Sequence, residues 1–206
     1  MIALCSCHHP LVDKGAYTVE QLHQFKQSAA ERSSAVEGRF EWMRNRLLTV
    51  VGGNFYYETP IAVQYRDQPM IWLKRDEHEY LLLNLRMLST TDEERLSLVD
   101  NFWITKGNPI DFECPQSGAL IHAEYKNSDK VRIEYHELKS MSDVTKRYPD
   151  AFSEAWRIKL PITAVEIHCK VGGTEVEFGP RWSRLPGNNI MRNCFIGNCS
   201  VGFRFS

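Results

Sequence analysis

Hydrophobic and polar positions alternate with a period of two through much of the chain, most regularly from Asn108 to Leu138. Ile110, Phe112 and Cys114 share one face of a first strand, with Asp111 and Glu113 on the other. Pro115-Gln116-Ser117-Gly118 is turn chemistry. Ile121, Ala123 and Tyr125 then oppose His122, Glu124 and Lys126, and after Asn127-Ser128-Asp129 the pattern resumes with Val131, Ile133 and Tyr135 against Arg132, Glu134 and His136. Three antiparallel strands with one apolar face are predicted. A slip of one residue would turn every side chain over, so the loops set the register. A four-residue loop at 115–118 puts Asp111 opposite His122 and diagonal to Glu124, and a three-residue loop at 127–129 puts Glu124 opposite Arg132 and His122 opposite Glu134.

Further strands are predicted at Phe55–Tyr57, Ile61–Tyr65, Met70–Leu73 and Tyr80–Leu88, with turns at Asp67-Gln68-Pro69 and Asp76-Glu77-His78-Glu79. Tyr80–Leu83 is almost continuously apolar, the mark of a central strand covered on both faces. Thr163–Val171 alternates Val165, Ile167 and Cys169 with Glu166, His168 and Lys170, and Gly172-Gly173 turns it back into Glu175–Phe178. Phe102–Thr105 and a last strand through Phe203 and Phe205 complete the set, with a short one at Ile2–Cys5.

Helical spacing interrupts this at four places. Thr18-Val19-Glu20-Gln21 is a capping box ahead of Leu22, Phe25 and Ala29. Ser33 or Ser34 caps a second helix with the stripe Val36, Phe40, Met43 and Leu47, ended by Gly52-Gly53. Asp92-Glu93-Glu94 opens a helix to about Asp100. Ser142-Asp143 opens one through Val144, Tyr148, Phe152, Ala155 and Trp156, which Pro149 kinks or divides. The expected fold is α+β: one domain over residues 1–206, with two N-terminal helices at about 16–52 and one or two later helices packed on mainly antiparallel sheet at about 54–206.

Composition narrows the class. At 206 residues, 43% hydrophobic and 25% charged, the chain can bury one substantial core. A net charge of −1 argues against a surface that grips nucleic acid everywhere and leaves room for a local basic patch. Six irregularly spaced cysteines and an N-terminus without a basic, long apolar leader point to the cytoplasm, and no apolar run is long enough to span a bilayer.

The polar face of the 108–138 strands carries the candidate chemistry. Asp111 and Glu124 are close enough on adjacent strands to share one Mg²⁺, which is usually held by one or two carboxylates with water and phosphate. Lys126 points the same way and suits a scissile phosphate or an attacking water, with His122 beside it. Pro109-Ile110-Asp111, a hairpin, then Glu124-Tyr125-Lys126 resembles the PD-(D/E)xK nuclease superfamily. That resemblance implies metal binding by Asp111 and Glu124 and activation of water by Lys126, and hence hydrolysis of DNA or RNA. It covers roughly a tenth of the chain. Ile110 separates Pro109 from Asp111, and a third antiparallel strand follows where the family more often turns into a helix.

The same alternation also describes the solvated side of any half-buried meander, with Glu124 and Arg132 as a cross-strand ion pair. The competing function is therefore a non-catalytic macromolecule-binding protein, one form of which is an accessory or inhibitory factor of a phage or mobile element. Arg181, Trp182, Arg184 and Arg192 form the most basic cluster in the chain, on a loop suited to a phosphate backbone, and Arg39, Arg44 and Arg46 with Trp42 offer a second such surface. Zinc is not expected. Cys5, Cys7, His8 and His9 are too closely spaced and would need Cys194 and Cys199 as a distant second pair, and His122-Ala123-Glu124 lacks the P-C-x-x-C that completes a deaminase metal site.

Overall fold

The computed structural model describes residues 18–24, 35–87, 89–90, 95–115, 118–149 and 158–206. Contacts divide the chain into Met1–Val36 and Glu37–Ser206. In the first unit, residues 19–24 form a short helix, α1. Its capping box is present: Gln21 N–H donates to Thr18 Oγ1 at 3.2 Å, and Thr18 N–H to Gln21 Oε1 at 2.9 Å. Phe25, Ala29, Cys5, Cys7, His8 and His9 and the expected strand at Ile2–Cys5 lie outside the described residues.

The rest is mostly strand. Of the described residues 51% are in strands and 8% in two short helices, which corrects the expected α+β class. In chain order the strands are β1 (Ala35–Arg39), β2 (Leu47–Val51), β3 (Asn54–Tyr57), β4 (Ile61–Tyr65), β5 (Gln68–Arg75), β6 (Leu81–Arg86), β7 (Leu96–Val99) and β8 (Phe102–Lys106). They continue with β9 (Asp111–Glu113), β10 (Leu120–Glu124) and β11 (Lys130–Leu138), then the helix α2 (Met141–Arg147). After it come β12 (Ile162–Lys170), β13 (Glu177–Phe178), β14 (Ser183–Leu185), β15 (Asn189–Met191), β16 (Phe195–Gly197) and β17 (Val201–Phe205).

One sheet of seven strands runs β1-β8-β7-β6-β5-β4-β17, which makes β6 central as its apolar run requires. The second runs β15-β14-β13-β12-β11-β10-β9, with β2, β3 and β16 joined to it through β12. Most pairings are antiparallel, but β2 with β12, β3 with β16 and β4 with β17 are parallel. The two sheets bury one core between them, built from Val63, Ile71, Leu83, Leu85, Leu98 and Trp103 of the first and Ile121, Ala123, Val131, Ile133, Val165 and Ile167 of the second. Among the described residues no helix is long and apolar enough to cross a membrane.

Two expected helices are corrected, and the one expected from Ser142-Asp143 forms as α2. The stripe at 36–47 does not hold as one face, since Phe40 is buried and Met43 is exposed. Leu47-Leu48-Thr49-Val50-Val51 is instead buried at every residue, which suits a strand covered on both faces. Gly38 on β1 admits the Trp103 ring, 2.6 Å from where a Cβ would stand. The helix expected to reach Asp100 gives way to β7, in which Leu96 and Leu98 face the core with period two. α2 forms on its own capping box, Ser140 with Asp143, and ends at Tyr148 before Pro149. Phe152, Ala155 and Trp156 lie outside the described residues. The basic tail at 179–193, expected as a loop, carries β14 and β15.

The register differs from expectation by two residues on both sides of β10. Glu124 pairs with Asp111 and Lys130, and His122 with Glu113 and Arg132. The cause is the turn. Tyr125 N–H donates to Asp129 O at 2.9 Å, so Lys126-Asn127-Ser128 form the loop, with Ser128 at φ 66°. Asp129 turns inward and is fully buried, accepting from Ser89, Arg95 and Asn127 at 2.8, 3.0 and 2.6 Å and from Gly172 N–H at 2.7 Å. A Cβ on Gly172 would stand 1.8 Å from Asn127 O, so this contact requires glycine. On the other side Pro115, which cannot donate to a ladder, follows a β9 that ends at Glu113.

Candidate functional site

The outer face of β10, β11 and β12 divides into an apolar and a polar half. Leu138, Ile162 and Ala164 pack with Val144 and Tyr148 of the α2 region and with Leu48, Val50, Phe55 and Tyr57. Beyond them the face turns polar. Arg132 lies between His122 and His168 in register, and Glu134 beside Glu166. Arg132 pairs with Glu134 two residues along its own strand at 3.0 Å, not with Glu124 as expected.

Glu166 is the deepest of these groups, its side chain 10% exposed. It accepts from Arg147 Nε at 2.5 Å and from the Tyr148 hydroxyl at 2.6 Å. Burial opposes its charge, but these two donors and the Arg147 and His136 charges outweigh that and hold its carboxyl below the ordinary value. Arg147 also donates to His136 Nε2. Burial pushes both His136 and His168 below the ordinary histidine value, with Glu166 pulling the other way. His122 Nδ1 is buried without a hydrogen-bond partner among the described residues, and its Nε2 is 3.7 Å from Asp111 Oδ2.

Two clefts open on this face and share His168 and Pro180. One, of about 150 Å³, is lined by His122, Lys130, Arg132 and Glu177. The other, of about 350 Å³, is lined by Lys146, Arg147, Glu166, Arg181 and Asn193. Together they present five Lys or Arg side chains, Lys130, Arg132, Lys146, Arg147 and Arg181, against the two carboxylates Glu166 and Glu177. The lining is therefore positive by three in a chain of net charge −1.

The residues singled out from the sequence are only partly gathered here. Asp111 and Glu124 stand directly opposite each other, closer than the expected diagonal, but at the sheet margin, with the Asp111 side chain 66% exposed. Lys126 lies in the turn, exposed, and not on the strand face that carries Glu124. Among the described residues no three or more His, Cys, Asp or Glu side chains are grouped to hold a metal ion. Arg181 reaches the larger cleft. Trp182 is half-buried against Gly179, which lines the smaller one, and the Arg184 guanidinium lies 4.9 Å from its ring centroid. Arg192 is exposed beyond β15.

Lys130, Arg147, Tyr148, Glu166 and His168 were not among the site residues read from the sequence. Alternation alone puts Glu166 and His168 on the outer face of their strand, but only the β11–β12 pairing brings them to Arg132 and Glu134. Comparison of the chain with family models, with curated proteins and with solved structures finds no match.

Proposed function

We propose that this protein is a non-catalytic binding module for single-stranded nucleic acid. The observation that carries the reading is the pair of contiguous clefts, positive by three, on a chain that is otherwise slightly acidic. Phosphates lie along Lys130, Arg132, Arg147 and Arg181, and His122 Nδ1 offers an unused polar atom in the smaller cleft. Trp182, half-buried against Gly179 beside that cleft, offers the flat apolar surface on which a base stacks. Fluorescence anisotropy with labelled single-stranded DNA and RNA of one length tests this. Binding that weakens with salt and falls at least tenfold in Lys130→Ala/Arg181→Ala supports the reading. Absence of binding at low salt, or no change in the double variant, overturns it.

A second reading draws on the direct opposition of Asp111 and Glu124, which places two Cβ atoms about 5 Å apart. Those two carboxylates with water fit a Mg²⁺ ion, whose charge supports phosphodiester hydrolysis. His122 lies beside Asp111 and Lys130 opposite Glu124, and Lys126 is not positioned to assist. The same oligonucleotides scored for cleavage with Mn²⁺ or Mg²⁺, in wild type and Glu124→Gln, separate this reading from simple binding.

A further inference from the structure

At the other end of β11 and β12, a cleft of about 760 Å³ is lined by Arg44, Arg46, Glu137, Lys139, Ile162 and Thr163. It adjoins a second cleft of about 480 Å³, lined by Tyr57, Thr59, Pro60, Leu73 and Leu81, and Asn45 and Arg46 line both. Neither belongs to the furrow described above.

The two compartments differ in chemistry. In the first, Arg44, Arg46 and Lys139 face a single carboxylate, Glu137, leaving two positive charges. Arg44 is already fixed in place. Its Nε donates to Thr163 Oγ1 at 2.9 Å, Nη1 to Met43 O at 2.9 Å and Nη2 to Glu137 at 3.2 Å, and its guanidinium lies 5.2 Å from the Trp42 ring centroid. Arg46, by contrast, is exposed and makes no ion pair or hydrogen bond among the described residues. In the second compartment Leu47, Pro60, Leu73 and Leu81 form the apolar walls, Glu58 and Arg75 add one charge of each sign, and Tyr57 lies in the lining. Tyr57 is 4% exposed, and its hydroxyl is buried with no partner among the described residues.

A buried hydroxyl without a partner is costly unless a ligand or water supplies one. Two uncompensated positive charges match a dianion, and the guanidinium fork fits the oxygens of a phosphate. Each cleft falls within the range of about 300–1,000 Å³ common to small-molecule sites. We propose that this double cleft binds a phosphate monoester carried on a flat, largely apolar body. The phosphate sits among Arg44, Arg46 and Lys139, and the body enters the second cleft with a polar edge on the Tyr57 hydroxyl.

Isothermal titration calorimetry on the full chain, with AMP, adenosine and inorganic phosphate as probes, tests it. AMP is expected to bind at least tenfold more tightly than adenosine or phosphate. Arg46→Glu, an exposed change that leaves the fold intact, should weaken AMP at least tenfold. Tyr57→Phe should weaken AMP at least threefold, leave phosphate binding unchanged, and not lower the melting temperature. No heat with AMP, AMP binding no tighter than phosphate, or unchanged AMP affinity in Arg46→Glu overturns the proposal. Arg46 lies outside the nucleic-acid furrow, so failure here leaves the oligonucleotide measurement standing, and the reverse holds equally.

Discussion

Asp129 and Asp111 both lie on chain segments beside β10, and their surroundings could hardly differ more. Asp129 is fully buried, with donors from Ser89, Arg95, Asn127 and Gly172, and the Arg95 side chain facing it is 4% exposed. Asp111 is 66% exposed, and its only ion-pair neighbour among the described residues is His122 at 3.7 Å. Depth decides what each charge does. Inside, where the effective dielectric is low, a carboxylate must be fully bonded and so becomes part of the fold. At the margin it stays solvated, contributes little to stability, and remains free to meet a ligand. Glu166, 10% exposed and bonded to Arg147 and Tyr148, stands between the two.

The contrast can be tested by removing each carboxylate in turn. Asp129→Ala removes from a buried site the carboxylate that accepts from Ser89, Arg95, Asn127 and Gly172, and should cost about 3–5 kcal/mol in urea denaturation. A cost below about 1 kcal/mol would show that water or backbone replaces the aspartate and that depth is not the deciding variable. Glu166→Gln keeps the shape but weakens two charge-assisted bonds, and about 1.5–3 kcal/mol is expected from the same measurement.

Acidification sharpens the comparison. Folding depresses His136 and His168 below 6.5, so their contribution is complete above that value and is lost as pH falls through their lowered values. Asp129 and Glu166 are held below 3.8 and 4.5, so their contribution persists to lower pH and is lost in a second stage beneath those values. Melts from pH 8 to pH 3 should therefore fall in two stages, with the second diminished in Asp129→Ala. The smallest effect belongs to Asp111→Asn, which should change stability by less than about 0.5 kcal/mol. A stabilisation of wild type by Mn²⁺ that this variant loses would show the exposed carboxylate engaged after all.

Much of the strand content was legible. Ile61–Tyr65 matches β4 end for end, and Thr163–Val171 is displaced from β12 by one residue, because period-two alternation is a local property. Residues 35–51 carry a misleading helical signal, because Val36, Phe40, Met43 and Leu47 satisfy helical spacing by accident. What makes Leu47–Val51 a strand is its parallel partner at Thr163–Ile167, far along the chain. The polar face around Asp111, His122 and Glu124 was legible as a face. Its register was not, because the turn is placed by Asp129, and three of the groups that bury it, Ser89, Arg95 and Gly172, come from other segments. The clefts were invisible for the same reason, since their walls come from β11, β12 and the tail.

The three parallel pairings follow one rule. β2, β3 and β4, successive strands near residues 47–65, take as partners β12, β16 and β17, in the same order, from residues 162–205. Each closes a loop of well over a hundred residues, so its entropy is spent before any contact rewards it. Folding should accordingly be slow, on the scale of sheet proteins dominated by non-local pairing. A growing chain would carry β4 with one edge unpaired until β17 emerged, the interval in which such an edge is open to the wrong partner.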